Sequence, residues 1–141
     1  KDQDYRSARL EDLLPLLNLN NCSFFNLQFG EVNNEIISFN KKYDLNIHQF
    51  DDINNYNEID KLCALIDSLD LVITIQNTTA HLSGAIGKKT FLLLSKNHRW
   101  HWGVNDKISR WYPSIRIFRQ KFFNNWKDVV DNVLKEIVFN E

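Results

Sequence analysis

The sequence predicts an α/β domain in which helices cover both faces of a mostly parallel sheet. Short apolar, β-branched segments alternate with amphipathic segments of roughly ten residues, which is the pattern of strands joined by crossover helices. The clearest strand is Leu71–Ile75, whose unbroken apolar run is typical of a strand buried on both faces. A length of 141 residues fits a single domain, residues 1–141, without an internal repeat or a linker.

The N-terminal half predicts two helices and two strands. Leucines at positions 10, 13, 14 and 17 share one helical face, with Ser7 as the N-cap and Pro15 as a residue that kinks or shortens the helix. Alternating residues over Cys22–Gln28 predict a strand that ends in a turn. Apolar residues at positions 32, 36, 39 and 43 predict a second helix, and Leu45–His48 predicts a short second strand.

The C-terminal half predicts three helices and three strands. The first of these helices runs from Ile59 to Leu69, with Asn57 as its cap and Asp60 three residues later. The elements that follow are the strand Leu71–Ile75, the helix Thr78–Ile86 ending at Gly87, the strand Thr90–Leu94, a long aromatic and basic loop over 95–111, the strand Ile115–Phe118 and a closing helix from Trp126 to Ile137.

The amino-acid composition is typical of a globular domain and argues against two classes of protein. Hydrophobic residues make up 43% of the chain and charged residues 25%, which are ordinary values for a globular domain. A net charge of −1 lacks the basic footprint of a nucleic-acid-binding protein. No apolar run approaches the ~20 residues that a membrane span needs. We therefore expect neither nucleic acid nor a membrane span.

Cysteine and methionine usage gives two further expectations. The two cysteines, Cys22 in a predicted strand and Cys63 in a predicted helix, are expected to be reduced, buried thiols, which favours a cytoplasmic protein. The chain contains no methionine, so Lys1 is not expected to be a native start. We expect the sequence to be a piece of a longer protein.

The junction after Leu71–Ile75 carries the strongest functional signal. Asn77 is a good N-cap, and Thr78 and Thr79 then fall in the first helical turn, where backbone N–H groups have no acceptor within the helix. Such a helix start, at the end of a strand, attracts an anion without a metal or a lysine. The sequence therefore predicts a phosphate site, with ordinary helix capping as the alternative.

His81 lies three residues after Thr78 on the same helical face. It is expected to reach a phosphate held over Thr78, and the alternative is a structural histidine with a hydrogen-bond partner in the core. Ala80, Gly84 and Gly87 form a stripe of small residues, which is expected to let the helix lie close to the sheet.

Several motifs from Asp60 to Gln120 occur together in one known family. They read Leu69-Asp70-Leu-Val-Ile73, Ala80-His81-Leu-Ser-Gly84-Ala-Ile-Gly87, Trp111-Tyr112-Pro113-Ser114 and Phe118-Arg119-Gln120. In this region the chain resembles the C-terminal half of bacterial glycosyltransferases of the two-domain GT-B type. The likeness is greatest to the tetratricopeptide-linked group related to heptosyltransferases (family 9-like), and O-GlcNAc transferase is a more distant relative of that group.

The resemblance implies a Rossmann-like domain that binds a nucleoside diphosphate sugar. Thr78, Thr79 and the backbone around Asn77 would hold the pyrophosphate, and His81 would neutralise it or bond to it. Such donors stabilise the leaving nucleoside diphosphate in a metal-independent site without a cofactor. The resemblance also implies that the missing N-terminal half is a partner and supplies the catalytic base, so the catalytic residues are unknown here.

The resemblance also concerns Arg6, Gln28 and the pair Gln76-Asn77, and for each of them a second interpretation is open. Arg6 corresponds to a basic residue that faces phosphate in the family, or it is a solvated charge at a helix end. Gln28 contacts the nucleotide or caps a turn. Gln76 and Asn77 stand where the family has Asp-Thr, so a carboxylate and a hydroxyl are lost and donor preference or activity is open.

The aromatic residues between Trp100 and Trp126 have two interpretations. They form a platform for a base or a carbohydrate, or they pack against the sheet or a partner domain. Nearby arginines at 99, 110, 116 and 119 raise the possibility of a nucleic-acid patch, which the neutral net charge disfavours. A non-catalytic interaction module on a degenerate transferase scaffold is the alternative function, and an unrelated flavodoxin-like domain is a third. No cysteine and histidine spacing resembles a zinc site.

Overall fold

The computed structural model describes residues 6–28, 30–50, 53 and 57–138. Within these ranges the elements are, in chain order, α1 (Leu14–Leu17), β1 (Phe24–Phe25), α2 (Asn33–Tyr43), β2 (Ile47–His48), α3 (Ile59–Ser68), β3 (Val72–Ile75), α4 (Thr78–Ala85), β4 (Thr90–Leu94), β5 (Ile115–Arg119) and α5 (Lys127–Val138). Short 3-10 helices occur at Leu10–Leu13 and Trp100–Trp102. None of the helices in these ranges has the length and apolar character that crossing a membrane requires.

The main sheet is parallel, with the strand order β3–β4–β5, so β4 is its central strand. The helix α4 connects β3 to β4, and α5 follows β5. The protein is therefore an α/β domain with a Rossmann-like, parallel arrangement, as the alternation of strand and helix patterns predicted. β4 covers the range predicted for it, and each of its residues is buried.

The first two strands form a separate sheet, whereas a single mostly parallel sheet was expected. β1 pairs with β2 in parallel, and each strand has two residues. The strand predicted over 22–28 is short because Asn26 turns the chain: its Oδ1 accepts from the N–H of Gln28 at 2.9 Å. The N–H of Asn26 still donates to the carbonyl of His48 at 2.9 Å, as the last bond of the ladder.

Helices lie on both faces of the three-stranded sheet, as predicted. On one face α1 and α5 pack on alternate residues of β4 and β5; this cluster contains Leu16, Phe91, Leu93, Phe118, Trp126, Val129, Val130 and Val133. On the other face α4 and the loop after β4 pack on the intervening residues; this cluster contains Ala80, Leu92, Leu94, Trp102, Ile115 and Ile117. Because β4 is covered from both sides, its unbroken apolar run is explained by burial alone.

Two helix starts differ from the expected ones. The N-terminal helical segment begins after Arg9 rather than Ser7, because Asp12 accepts from the Arg9 N–H at 2.9 Å. Pro15 lies in the first turn of α1, where its missing N–H costs nothing, and the segment changes there from 3-10 to α geometry. The N-cap of α3 is Glu58, one residue after the predicted Asn57.

The prediction that both cysteines are buried is wrong. Cys22 is exposed and precedes β1, and Cys63 is half-buried on α3. Neither forms a disulfide. Cys22 is exposed because β1 begins only at Phe24, so residue 22 is not part of a covered strand.

The free edge of β5 is covered by the loop that precedes it. Ile108 forms an antiparallel bridge with Arg116 on β5. The N–H of Ser109 donates to the carbonyl of Ile115 at 3.0 Å, and the N–H of Ile117 donates to the carbonyl of Lys107 at 2.8 Å. This short pairing occupies backbone groups that an edge strand otherwise leaves open.

Candidate functional site

The start of α4 lies where the sequence predicted it, directly after β3. Asn77 is the N-cap, with extended backbone (φ −144°), and its Oδ1 accepts from the N–H of Ala80 at 3.1 Å. The hydroxyl of Thr74 donates to the same oxygen at 3.1 Å, so the cap is fixed from β3 as well as from the helix. The capping interpretation of Asn77 is thereby confirmed.

Capping leaves the first-turn amides of α4 open. In the part of the chain that the structure describes, no acceptor faces the N–H groups of Thr78 and Thr79. Thr78 is exposed, Thr79 is 8% exposed, and the first turn of α4 contains no acidic residue. The positive end of the helix dipole is therefore uncompensated by a local carboxylate, which is a favourable environment for an anion.

Gln76 joins the loops that follow β3 and β4. Its Nε2 donates to the hydroxyl of Ser95 at 3.1 Å, and its Oε1 accepts from the N–H of Arg99 at 3.1 Å. Both ends of the amide are thus used to hold the loop after β4 beside the start of α4. The structure gives Gln76 a positioning role, which the sequence did not predict.

His81 faces the aromatic loop from one turn inside α4. Its Nδ1 lies 3.2 Å from the hydroxyl of Tyr112, and its ring stacks on Trp102 with centroids 5.1 Å apart. If the tyrosine hydroxyl donates to Nδ1, the proton of the neutral imidazole is on Nε2. His81 is therefore a partnered histidine whose second nitrogen can still donate, and both interpretations given for it remain open.

The stripe of small residues does not have one common role. Ala80 is fully buried against the sheet, as expected. Gly84 instead faces the loop: a Cβ there would lie 2.4 Å from Cγ of Tyr112. Gly87 lies beyond α4 with φ +76°, a conformation that favours glycine after a helix. The expectation that Gly84 and Gly87 bring α4 close to the sheet is therefore wrong.

Arg6 and Gln28 lie in other parts of the chain than α4, each beside a different element. Arg6 precedes Ser7, whose carbonyl accepts from the indole N–H of Trp126 at 3.1 Å, just before α5. Gln28 is exposed and ends the turn after β1, beside Leu27, which packs against the buried residues of α3 and β3. The side chain of Asn26 forms this turn by accepting from the backbone N–H of Gln28. Both interpretations of the Gln28 side chain stay predictions, as does the contact of Arg6 with phosphate.

Burial splits the aromatic residues of the C-terminal half into two groups. Trp102, Phe118 and Trp126 are buried in the two core clusters, so the packing interpretation is confirmed for them. Trp100 is 81% exposed and Trp111 is 63% exposed. These two indoles contact each other edge to face, with centroids 6.5 Å apart and an interplanar angle of 74°.

Trp100 and Trp111 line a surface cleft of about 400 Å³. We call it the aromatic cleft; its lining consists of Trp100, His101, Gly103, Val104, Asn105, Asp106, Arg110 and Trp111. A smaller pocket of about 170 Å³ shares both indoles and His101 with it and reaches His81. Sequence analysis noted the aromatic residues but not their separation into core and cleft, because that separation depends on which of them contact the sheet.

Arg119 holds the loop that forms the cleft. One guanidinium nitrogen donates to the carbonyls of Trp102 at 2.6 Å and Asp106 at 3.2 Å. Burial lowers the pKa of Arg119 below its ordinary value, but an arginine remains charged at any physiological pH. Arg110 pairs with Asp106, and Arg116 pairs with Glu136. Arg110, Arg116 and Arg119 are therefore each engaged in a local contact.

His101 is the titratable group in the wall between the cleft and the smaller pocket. Burial lowers its pKa below the ordinary histidine value, and the neighbouring His81 and Arg99 lower it further. The lowered pKa favours the neutral form of the ring. Its Nε2 is buried and has no hydrogen-bond partner among the described residues.

Comparison with known proteins shows a similarity to part of a longer protein. The chain is 30% identical over 119 residues, or 84% of its length, to the protein FlbA of Caulobacter vibrioides. It spans 20% of the length of that relative. No family model matches the chain, and no solved structure was found to be similar to it.

Proposed function

We propose that this chain is the donor-binding half of a metal-independent glycosyltransferase that uses a nucleoside diphosphate sugar. The observation that carries the proposal is the start of α4, at the carboxyl end of a parallel strand, where the N–H groups of Thr78 and Thr79 have no hydrogen-bond acceptor among the described residues. Ligands of open parallel sheets bind at the carboxyl ends of the strands. The family resemblance over Asp60–Gln120 supplies the reaction class.

The electrostatics of the α4 start suit a diphosphate leaving group. Negative charge on the diphosphate grows as the glycosidic bond breaks, and fixed amide donors stabilise that charge without reorganising. The first turn of α4 has no acidic residue, and Gln76 holds the neighbouring loop with a neutral amide. A carboxylate in place of Gln76 would add like charge beside the leaving group. Gln76 therefore holds the loop without adding negative charge, and the effect of replacing the Asp of the family on donor preference stays open.

His81 has a defined part in this proposal. Its ring is held by Tyr112 and Trp102, and its part is to donate a hydrogen bond from Nε2 to the bound diphosphate. The residue that activates the acceptor lies in the other half of the enzyme, and the isolated domain is expected to bind a donor but not to turn it over.

Titration of the domain with UDP, GDP and ADP, monitored by the backbone amide resonances of Thr78 and Thr79, tests the proposal. We expect saturable shifts of both amides by at least one of the three, with a Kd of about 1 mM, equivalent to ~4 kcal/mol. The parent nucleosides are expected to cause smaller shifts at these amides because they lack the diphosphate.

Two substitutions sharpen this test. Thr78→Ala removes an exposed hydroxyl at the helix start and is expected to weaken binding, whereas Ser38→Ala removes an exposed hydroxyl on α2 and is expected to leave binding unchanged. Unshifted amides at Thr78 and Thr79 with each of the three nucleotides at about 10 mM would refute donor binding.

A non-catalytic interaction module is the second candidate. The exposed aromatic side chains favour it: Trp100, Trp111, Phe122 and Phe123 are each more than half exposed. A failed nucleotide titration together with self-association or partner binding that is lost on Trp100→Ala would favour this function over the transferase.

A further inference from the structure

We propose that the aromatic cleft is a binding site for a neutral saccharide ring, separate from the anion site at the start of α4. The two sites have different walls: the anion site is made by backbone amides of Thr78 and Thr79, and the cleft by side chains of Trp100, Trp111 and the residues between them. The proposal does not depend on nucleotide binding, since free sugars can test it.

The charge of the lining favours a neutral ligand. Arg110 and Asp106, the charged residues of the lining, form an ion pair with 3.1 Å between nitrogen and oxygen. Burial lowers the pKa of His101, which favours its neutral form. Within the lining, the single cation is thus paired with the single carboxylate, which favours a ligand without net charge.

The mixture of lining groups favours an amphipathic ligand. Trp100 and Trp111 are both more than half exposed, so their indoles offer apolar surface to a ligand. Asn105 and the Asp106–Arg110 pair supply hydrogen-bond donors and acceptors at the rim. A pyranose matches both, because its C–H groups contact aromatic faces while its hydroxyls bond to polar side chains. A cleft of about 400 Å³ is large enough for one or two such rings.

The angle between the indoles distinguishes a saccharide from a nucleobase. The rings meet at 74°, so they form a corner rather than two parallel walls. A flat base cannot be sandwiched in such a corner and can stack on only one wall. A puckered pyranose has C–H groups on its face and on its exocyclic carbon, and these can contact both walls at once.

The arrangement of the cleft is held in place before any ligand binds. Arg119 bonds to two backbone carbonyls of the loop, and Gln76 bonds to the N–H of Arg99 next to Trp100. A fixed loop loses little entropy when a ligand binds, which favours recognition of weakly binding neutral sugars.

The test uses the indole N–H resonances of the domain, which has four tryptophans. Maltose, cellobiose, lactose and N,N′-diacetylchitobiose are titrated up to ~50 mM, the range needed for millimolar binding. We expect at least one of them to shift the indole resonances of Trp100 and Trp111 in a saturable way. The indole of Trp126 is buried and bonded to the carbonyl of Ser7, so it serves as the internal reference and is expected not to move.

Variants and competing probes decide the outcome. Trp100→Ala is expected to weaken sugar binding roughly tenfold, and Phe122→Ala, which removes an exposed aromatic side chain outside the cleft, is expected to leave it unchanged. Because both residues are exposed, folding should be preserved, which the Trp126 resonance reports. The proposal is overturned if no sugar shifts Trp100 and Trp111, if Trp100→Ala binds normally, or if uridine, adenosine or choline binds more tightly than every sugar. A failed UDP titration would leave a positive sugar result standing.

Discussion

The side chain of Asn77 should affect folding and anion binding in ways that can be separated. Its Oδ1 accepts from the N–H of Ala80 and from the hydroxyl of Thr74, each at 3.1 Å. Ala80 is fully buried, so Asn77→Ala leaves a buried N–H without an acceptor. Loss of a helix cap costs about 0.5–2 kcal/mol. Because the N–H of Ala80 is buried, we expect a cost of about 2 kcal/mol here. For a chain of this length the melting temperature should fall by roughly 6–10 °C.

Asn77→Asp should behave differently. The carboxylate can accept the same two hydrogen bonds, and its charge at the positive end of the α4 dipole adds about 0.3–1 kcal/mol of stability. The same charge repels a diphosphate bound at the open amides of Thr78 and Thr79. Two unit charges about 4 Å apart repel by ~1 kcal/mol even in water, which weakens binding about fivefold. We therefore expect a protein that is equally or more stable and that binds nucleotide less well.

Thermal unfolding followed by circular dichroism gives the stability, and amide shifts on titration with UDP give the affinity. Low ionic strength keeps the charge effect large. If Asn77→Asp binds the nucleotide as tightly as the native chain or more tightly, the anion does not lie at the start of α4. A native melting temperature for Asn77→Ala would show that the cap contributes nothing to folding.

Two further predictions concern the aromatic loop. Gly84→Ala should destabilise the fold by about 1–3 kcal/mol, because the new Cβ would lie 2.4 Å from Tyr112, and urea unfolding measures the loss. The pKa of His101 is lowered in the folded protein, so the folded state binds fewer protons than the unfolded chain and stability should fall as pH drops below about 6.5. The urea midpoint at about pH 7.5 and about pH 5.5 checks this.

Each of these has a matched control. In a Tyr112→Gly background the clash disappears, because the atoms nearest to the new Cβ all belong to the side chain of Tyr112, and Gly84→Ala should then stabilise α4 by up to ~1 kcal/mol through helix propensity. A destabilising effect of equal size in both backgrounds would show that Tyr112 is not the cause.

His101→Gln should lose part of the pH dependence that the native chain shows, since the other titratable groups are unchanged. Identical pH dependence in the two proteins would contradict the low pKa.

The parts of the fold that were predicted correctly are those fixed by local pattern. β4 was predicted residue for residue because burial on both faces requires five consecutive apolar or small residues. The start of α4 was predicted because Asn77 caps its own helix through a contact three residues away. β1 was predicted too long because Asn26 bonds to its own chain two residues on, and this turn competes with the strand pattern over the same residues.

The candidate site was predicted only in part, because long-range contacts complete it. Gln76 holds the N–H of Arg99, 23 residues away, and Arg119 holds the carbonyl of Trp102, 17 residues away. No periodicity in the sequence reports such contacts. The division of the tryptophans into buried and exposed members also depends on them, since the same loop places Trp102 under the sheet and Trp100 in solvent.

The pairing of Lys107–Ser109 with β5 has a consequence for how the domain behaves in concentrated solution. An uncovered edge strand is a template on which further copies add strand by strand into aggregates. Here the loop that presents Trp100 and Trp111 also shields that edge through Ile108. Deleting the loop to remove the indoles would therefore expose this edge and favour aggregation, whereas single substitutions leave the edge covered.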